Sequence, residues 1–167
     1  FNNKKAIGGV RATHSDFGKI SVCLRSIEIM SSWKETWGDD IGWMSNGYSY
    51  PAYTAQDEKT LKDLMQVQLG FGLNILWVSP DEYDALVPGI NKDGLLGSTY
   101  SPEDGSCSPL LLGSAFNYHA LSKGVEFRFR EKVIGFDMTG SKVDAVITDK
   151  GRYHAGMTDE ERNQMQE

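Results

Sequence analysis

The order in which helix-like and strand-like runs follow one another is the strongest constraint on this chain. Helical periodicities come first, separated by short apolar runs. Three strand-like runs then follow in succession, at 125–130, 132–138 and 143–148. In Val125-Glu126-Phe127-Arg128-Phe129-Arg130 apolar and polar residues alternate, which predicts a strand with one buried and one wet face. Thr139-Gly140-Ser141-Lys142 makes a turn between the last two runs, and Asp149-Lys150-Gly151-Arg152 makes one after them. Strict strand–helix alternation would build a parallel sheet, whereas successive strands joined by tight turns build an antiparallel one. The expected fold class is therefore α+β: a mixed, mainly antiparallel sheet flanked by helices.

Local signals place the remaining elements. Residues 6–18 are polar and glycine-bearing and predict a loop. From 20 to 37, Ile20, Cys23, Leu24, Ile27, Met30, Trp33 and Trp37 recur mostly at three- and four-residue steps, predicting one amphipathic helix that stops at Gly38. The aromatic-rich stretch 41–53 contains Asn46-Gly47 and predicts a β-hairpin. Thr54 with Asp57 resembles a capping box before Leu61, Leu64, Met65 and Leu69. A short strand is expected at 74–78. Ser79-Pro80-Asp81-Glu82 then combines an N-cap, a proline at the first helical position and a box-closing glutamate. Another strand is expected at 95–100 and a turn at 102–105. Ser108-Pro109 opens a helix that places Leu112, Ala115, Phe116 and His119 on one side, and Lys123-Gly124 closes it.

With 167 residues the chain fits one domain, expected at 1–155, with a polar, acidic tail at 156–167. Lys and Arg number 17 against 23 Asp and Glu, giving a net charge of −6, which argues against a dedicated nucleic-acid binder. No apolar run approaches the ~20 residues of a membrane helix. Cys23 and Cys107 lack CxxC spacing, and His14, His119 and His154 pair with no second ligand at helix spacing, so no metal site is expected. Cys107 with His119 as a nucleophile–base pair has no local support, and His119 reads as structural. With no export signal, the expected location is cytoplasmic. The start at Phe1 instead of Met reads as a processed, trimmed or excised segment.

An ordered series of motifs carries more information. Gly8-Gly9-Val10-Arg11 is followed by Leu24-Arg25-Ser26, Gly47-Tyr48 and Ser79-Pro80-Asp81-Glu82. Then come Tyr100-Ser101-Pro102-Glu103-Asp104-Gly105, Ser108-Pro109 and Lys123-Gly124-Val125 leading into a strand pair. Over about residues 6–155 this resembles FAD-dependent amine and amino-acid oxidoreductases of the D-amino-acid oxidase superfamily, of the sarcosine oxidase, glycine oxidase and proline dehydrogenase β-subunit kind. Two departures stand out. The dinucleotide fingerprint GxGxxG is absent, and a polar stretch replaces the family's continuation after the last hairpin. The sequence thus looks like the substrate-binding domain of such an enzyme, separated from an FAD-binding domain or subunit that would be its partner. FAD binding by this chain alone is expected to be weak.

The resemblance implies roles for six residues. Gly8 and Gly9 match a loop passing close to the isoalloxazine; by themselves they read equally as a flexible loop. Arg11 matches a flavin-side arginine whose cation stabilises negative charge on the reduced ring, the catalytic role, against the reading of an ordinary surface arginine. Three residues on, where sarcosine oxidases place a carboxylate-binding arginine, this chain has His14, which donates a single bond to a substrate carboxylate instead of a bidentate fork. Tyr48 matches a segment covering the substrate, against a half-buried sheet tyrosine. Val133 matches a strand residue whose main chain meets the adenine, a role that an apolar strand residue does not otherwise need. Glu103 and Asp104 read as structural turn residues. The implied function is the substrate-binding part of an enzyme oxidising the C–N bond of a small amine or amino acid. The alternative is a non-catalytic small-carboxylate or partner-binding module of the same fold, in which Trp33, Trp37, Trp43 or Trp77 forms an exposed contact patch.

Overall fold

The computed structural model describes residues 5–154 and 156, so the expected tail lies outside the described residues except for Gly156. In chain order the elements are β1 (Gly9–Val10), α1 (Phe17–Ser31), α2 (Trp33–Trp37), β2 (Tyr48–Ala52), α3 (Ala55–Gly70), β3 (Leu76–Val78) and α4 (Pro80–Leu86). They continue with β4 (Gly97–Ser101), β5 (Gly105–Ser106), α5 (Pro109–Ser122), β6 (Val133–Thr139), β7 (Lys142–Thr148) and β8 (Arg152–His154). The chain divides into two compact units, Phe1–Lys123 and Gly124–Glu167. Every strand pair among the described residues is antiparallel, in agreement with the expected α+β class.

In the first unit β4 is central to a sheet of order β2-β4-β3. It runs opposite β2 from Tyr48↔Ser101 to Ala52↔Gly97, and opposite β3 from Leu76↔Tyr100 to Val78↔Ser98. Pro51 sits in β2, an edge strand of this sheet, where its missing N–H costs no ladder bond. Helix α3 packs on β2 and β4, and α4 packs on β4. A two-stranded ribbon of β1 and β5 pairs Gly9 with Ser106 and Val10 with Gly105. Between these layers Ala12, Ile27, Leu73 and Ile75 form one buried cluster, with Val10, Cys23, Leu24, Trp43 and Met65 packed on it. Trp33, Ile41, Cys107 and Ala115 form a second.

Capping follows the local signals closely. Ser79 Oγ accepts from Glu82 N–H while Glu82 Oε2 accepts from Ser79 N–H at 2.7 Å, a complete box at the start of α4. Thr54 caps α3 by accepting from Asp57 N–H at 3.1 Å, and Ser108 caps α5. The expected single helix over 20–37 instead starts at Phe17, capped by Asp16, and breaks at Ser32 into α1 and α2. There Ser31 and Ser32 hydroxyls both donate to the Glu28 carbonyl, offering the backbone a competing partner.

Three further expectations are corrected. Residues 41–53 form no hairpin. Met44 bridges Ser106, and β2 pairs with β4 instead. A Cβ on Gly47 would lie 2.3 Å from the Tyr100 ring, so this glycine, at φ +74°, serves a close approach. Residues 125–130 form no strand: the alternation is present, and Phe127 and Phe129 stack at 6.0 Å, but Phe129 is 75% exposed and the stretch gains no ladder partner. The tryptophans form no shared exposed patch. Trp33 is 2% exposed and Trp43 packs on the core, while Trp37 alone of the four is strongly exposed.

In the second unit β6, β7 and β8 form a meander in that order. Gly140 at φ +62° makes the tight turn between Thr139 and Lys142. Asp137 pairs with Arg152, and Glu131 accepts from both Thr148 and Tyr153 at 2.6 Å.

Candidate functional site

The segment Arg11-Ala12-Thr13-His14 leaves β1 in a conformation fixed from several sides. The Ala12 methyl group is fully buried in the first core cluster. Its N–H donates to Asp104 Oδ1 at 2.9 Å, and its carbonyl accepts from His14 N–H at 2.7 Å. The His14 carbonyl in turn accepts from Gln68 Nε2 on α3 at 3.0 Å. Arg11 Nη1 donates to the Thr13 carbonyl at 2.6 Å. A side chain leaving such a segment loses little freedom when it engages a ligand.

The Arg11 guanidinium lies over two tyrosine rings of β2, 5.4 Å from the Tyr48 centroid and 5.8 Å from that of Tyr50. Arg11, Thr13 and His14 line an open cavity of about 280 Å³ together with Tyr50, Thr99 and the α3 residues Leu61 and Gln68. Burial, followed by the Arg11 and Lys19 charges, holds the His14 imidazole below its ordinary pKa, with Asp16 opposing. The cavity thus offers one fixed cation and one neutral ring able to donate, a set suited to a small carboxylate. A second cavity of about 480 Å³ runs past Asn46, Tyr48, Tyr50, Val87 and Tyr100 along β2.

Of the six residues singled out in the sequence, Arg11 and His14 share the smaller cavity. Tyr48 meets Arg11 through its ring and lines the larger one. Gly9 lies on β1, and a Cβ there would meet nothing within 4 Å. Gly8, at φ +83°, is required within the chain itself: a Cβ would lie 2.2 Å from the Cys107 carbonyl oxygen. Val133 starts β6 opposite Thr148, half-exposed, in the other compact unit. Cys107 is buried, which pushes its thiol pKa up, and His119 Nε2 lies 2.9 Å from Asp39 Oδ1. Neither is arranged as a nucleophile or its base. Among the described residues no group of three or more His, Cys, Asp or Glu is placed to hold a metal ion. Nor is any helix among them long and apolar enough to cross a membrane.

Sequence reasoning missed Tyr50, Thr99 and Gln68, and it read Asp104 as an ordinary turn residue. Asp104 is fully buried, and its main-chain carbonyl accepts from Gly47 N–H at 2.8 Å. Burial pushes its carboxyl pKa up, offset by the Ala12 N–H and the Arg11 charge. The next residue, Gly105, has no room for a side chain, since a Cβ there would lie 2.3 Å from the Met44 carbonyl oxygen, but nothing in the local sequence signals this.

Residues 2–158 match the family model DAO, FAD dependent oxidoreductase. The chain is 29% identical over 123 residues to mouse (Mus musculus) mitochondrial sarcosine dehydrogenase, covering 71% of this chain and 13% of that protein. It is 26% identical over 137 residues to sarcosine oxidase subunit beta of Arthrobacter sp, covering 79% of this chain and 34% of that subunit. Among solved structures, L-proline dehydrogenase from P. horikoshii superposes with a TM-score of 0.81 at 24% identity, covering 93% of this chain and 41% of that one. Glycine oxidase from Geobacillus kaustophilus gives 0.73 at 24%, covering 92% and 43%; these two likenesses establish the fold. The chain spans less than half the length of each of these relatives. The family match over residues 2–158 is what decides the assignment: this chain belongs to the DAO family of FAD dependent oxidoreductases.

Proposed function

We propose that this chain is the substrate-binding part, over 1–155, of an FAD-dependent oxidoreductase acting on the C–N bond of a small amine or amino acid of the sarcosine, glycine or proline kind. The observation that carries the reading is the convergence of Arg11 and His14 on one small cavity, with Arg11 seated on Tyr48 and Tyr50. Names of the relatives support the substrate class: sarcosine dehydrogenase, sarcosine oxidase subunit beta and glycine oxidase.

The residues present fit the ring end of FAD. A fixed cation at Arg11 and open space above Gly9 suit a flat, electron-accepting ring system. The sequence has no GxGxxG to cradle a pyrophosphate, so phosphate binding falls to a partner domain or subunit. Gly8, Gly9 and Arg11 would serve the ring. When bound, FAD supplies the two-electron acceptor for oxidation of the carbon beside the amine.

This chain's share is to bind and orient. His14 donates a hydrogen bond to the substrate carboxylate, and Tyr48, from the neighbouring cavity, backs Arg11 and faces the rest of the substrate. Arg11 contributes a fixed positive charge that stabilises negative charge developing during electron transfer. The fixed Ala12 and His14 main chain keeps these groups at one geometry, so substrate binding need not reorganise them. A cytoplasmic setting belongs to the same proposal.

Anaerobic mixing of the FAD-loaded enzyme containing this chain with sarcosine, glycine or proline is expected to bleach the flavin absorbance with at least one of them. Binding of all three without bleaching would contradict the enzymatic reading and favour a small-carboxylate-binding module.

A further inference from the structure

We infer that Asp104 is a positioning residue that sets the Arg11 guanidinium against Tyr48, and through it the shape of the carboxylate cavity; this rests on the function proposed above. Two main-chain segments carry the pair. Arg11 precedes Ala12, whose N–H donates to Asp104 Oδ1 at 2.9 Å. Tyr48 follows Gly47, whose N–H donates to the Asp104 carbonyl at 2.8 Å. One residue therefore bonds the neighbour of the arginine with its side chain and the neighbour of the tyrosine with its backbone.

The cost of this arrangement argues for its use. Asp104 has no exposed surface. Its second oxygen, Oδ2, is the one buried side-chain polar atom among the described residues without a hydrogen-bond partner of normal geometry, and the nearby Ser101 hydroxyl relieves that burial only in part. A carboxyl group half-satisfied in the interior is destabilising, and a turn alone needs no such group. The turn that carries it is closely packed. On one side β1 pairs with β5 next to it, and on the other the Met44 carbonyl and Trp43 ring close over Gly105. The turn is clamped between the two segments it joins, and Asp104 transmits their register to Arg11 and Tyr48.

Proton–nitrogen NMR on the 167-residue chain tests this, reading the Arg11 Nε–Hε resonance. In the wild type the ring currents of Tyr48 and Tyr50 are expected to shift it away from the arginines that face no ring, Arg128 over Tyr153 being a second shifted resonance that serves as an internal control. Asp104→Ala is expected to return it to the common arginine position while the rest of the spectrum stays folded. Asp104→Asn keeps an oxygen to accept from Ala12 and is expected to preserve the shift. Acetate, titrated as the probe, should bind at least about tenfold more weakly to Asp104→Ala and within about threefold of wild type to Asp104→Asn. A folded Asp104→Ala variant with an unmoved Arg11 resonance would overturn the inference. If Asp104→Ala does not fold, a folded Asp104→Asn that has lost the shift overturns it equally, and one that keeps it supports it. Acetate that leaves the Arg11 resonance of the wild type unmoved would count against the carboxylate-site reading instead, since the ring-current shift needs no ligand.

Discussion

Burial pushes two groups beside Arg11 toward their neutral forms, Asp104 by raising its pKa and His14 by lowering it. For His14 the consequence is a definite pH dependence. The folded chain takes up a proton at His14 less readily than the unfolded chain, whose imidazole has the ordinary value of 6.5. Its contribution to stability is therefore fully present above 6.5 and is lost as pH falls through the lower folded value. Thermal unfolding of wild type and His14→Gln is expected to diverge on acidification, with wild type losing more stability below that pH. Parallel pH profiles would place His14 in water instead of in the cavity. That Arg11 and His14 lie close together was legible because a short contiguous motif carries them both. Asp104 was not, because the bond that gives it meaning spans 92 residues to Ala12, and no local pattern in a Pro-Glu-Asp-Gly turn announces that it is buried.

Among the elements, those fixed by nearest neighbours in sequence were readable and those fixed by distant partners were not. The box at Ser79 and Glu82, the caps at Thr54 and Ser108 and the left-handed glycine after α2 are all chain-local, and the sequence announces each of them. Ser79→Ala is accordingly expected to cost about 1 kcal/mol in urea unfolding, with an unchanged m-value. A cost near zero would mean that α4 is held by the packing of Tyr83 against Val78 and Leu95 alone. The missing hairpin and the missing strand have the opposite character. Asn46-Gly47 is a hairpin signal, but Gly47 is spent on an approach to Tyr100, 53 positions further on, and on a bond to Asp104. The 125–130 alternation sets which side chains share a side, yet a strand also needs an adjacent backbone, and pairing here begins only at Val133. Ser32 breaks the long helical periodicity for a subtler reason: the apolar stripe continues from Met30 to Trp33, while the serine hydroxyls redirect the backbone bonding.

At the scale of the whole molecule the family was legible before the fold was, because an ordered set of motifs survives at identities near 25–30% where no single motif is decisive. The division at Lys123 and Gly124 was not, since Lys123-Gly124 reads as an ordinary helix stop. Under the proposed function, the fold's contribution to chemistry is a rigid cation: Arg11 is held by the Thr13 carbonyl, by two tyrosine rings and by a main chain anchored to the core. The most direct test of that claim is stopped-flow reduction of the FAD-loaded enzyme containing this chain, wild type against Arg11→Ala, under anaerobic conditions with saturating substrate. Loss of one preorganised charge is expected to slow reduction by about 100-fold or more while the circular dichroism spectrum is unchanged. A folded Arg11→Ala enzyme that is reduced at the wild-type rate would contradict the account.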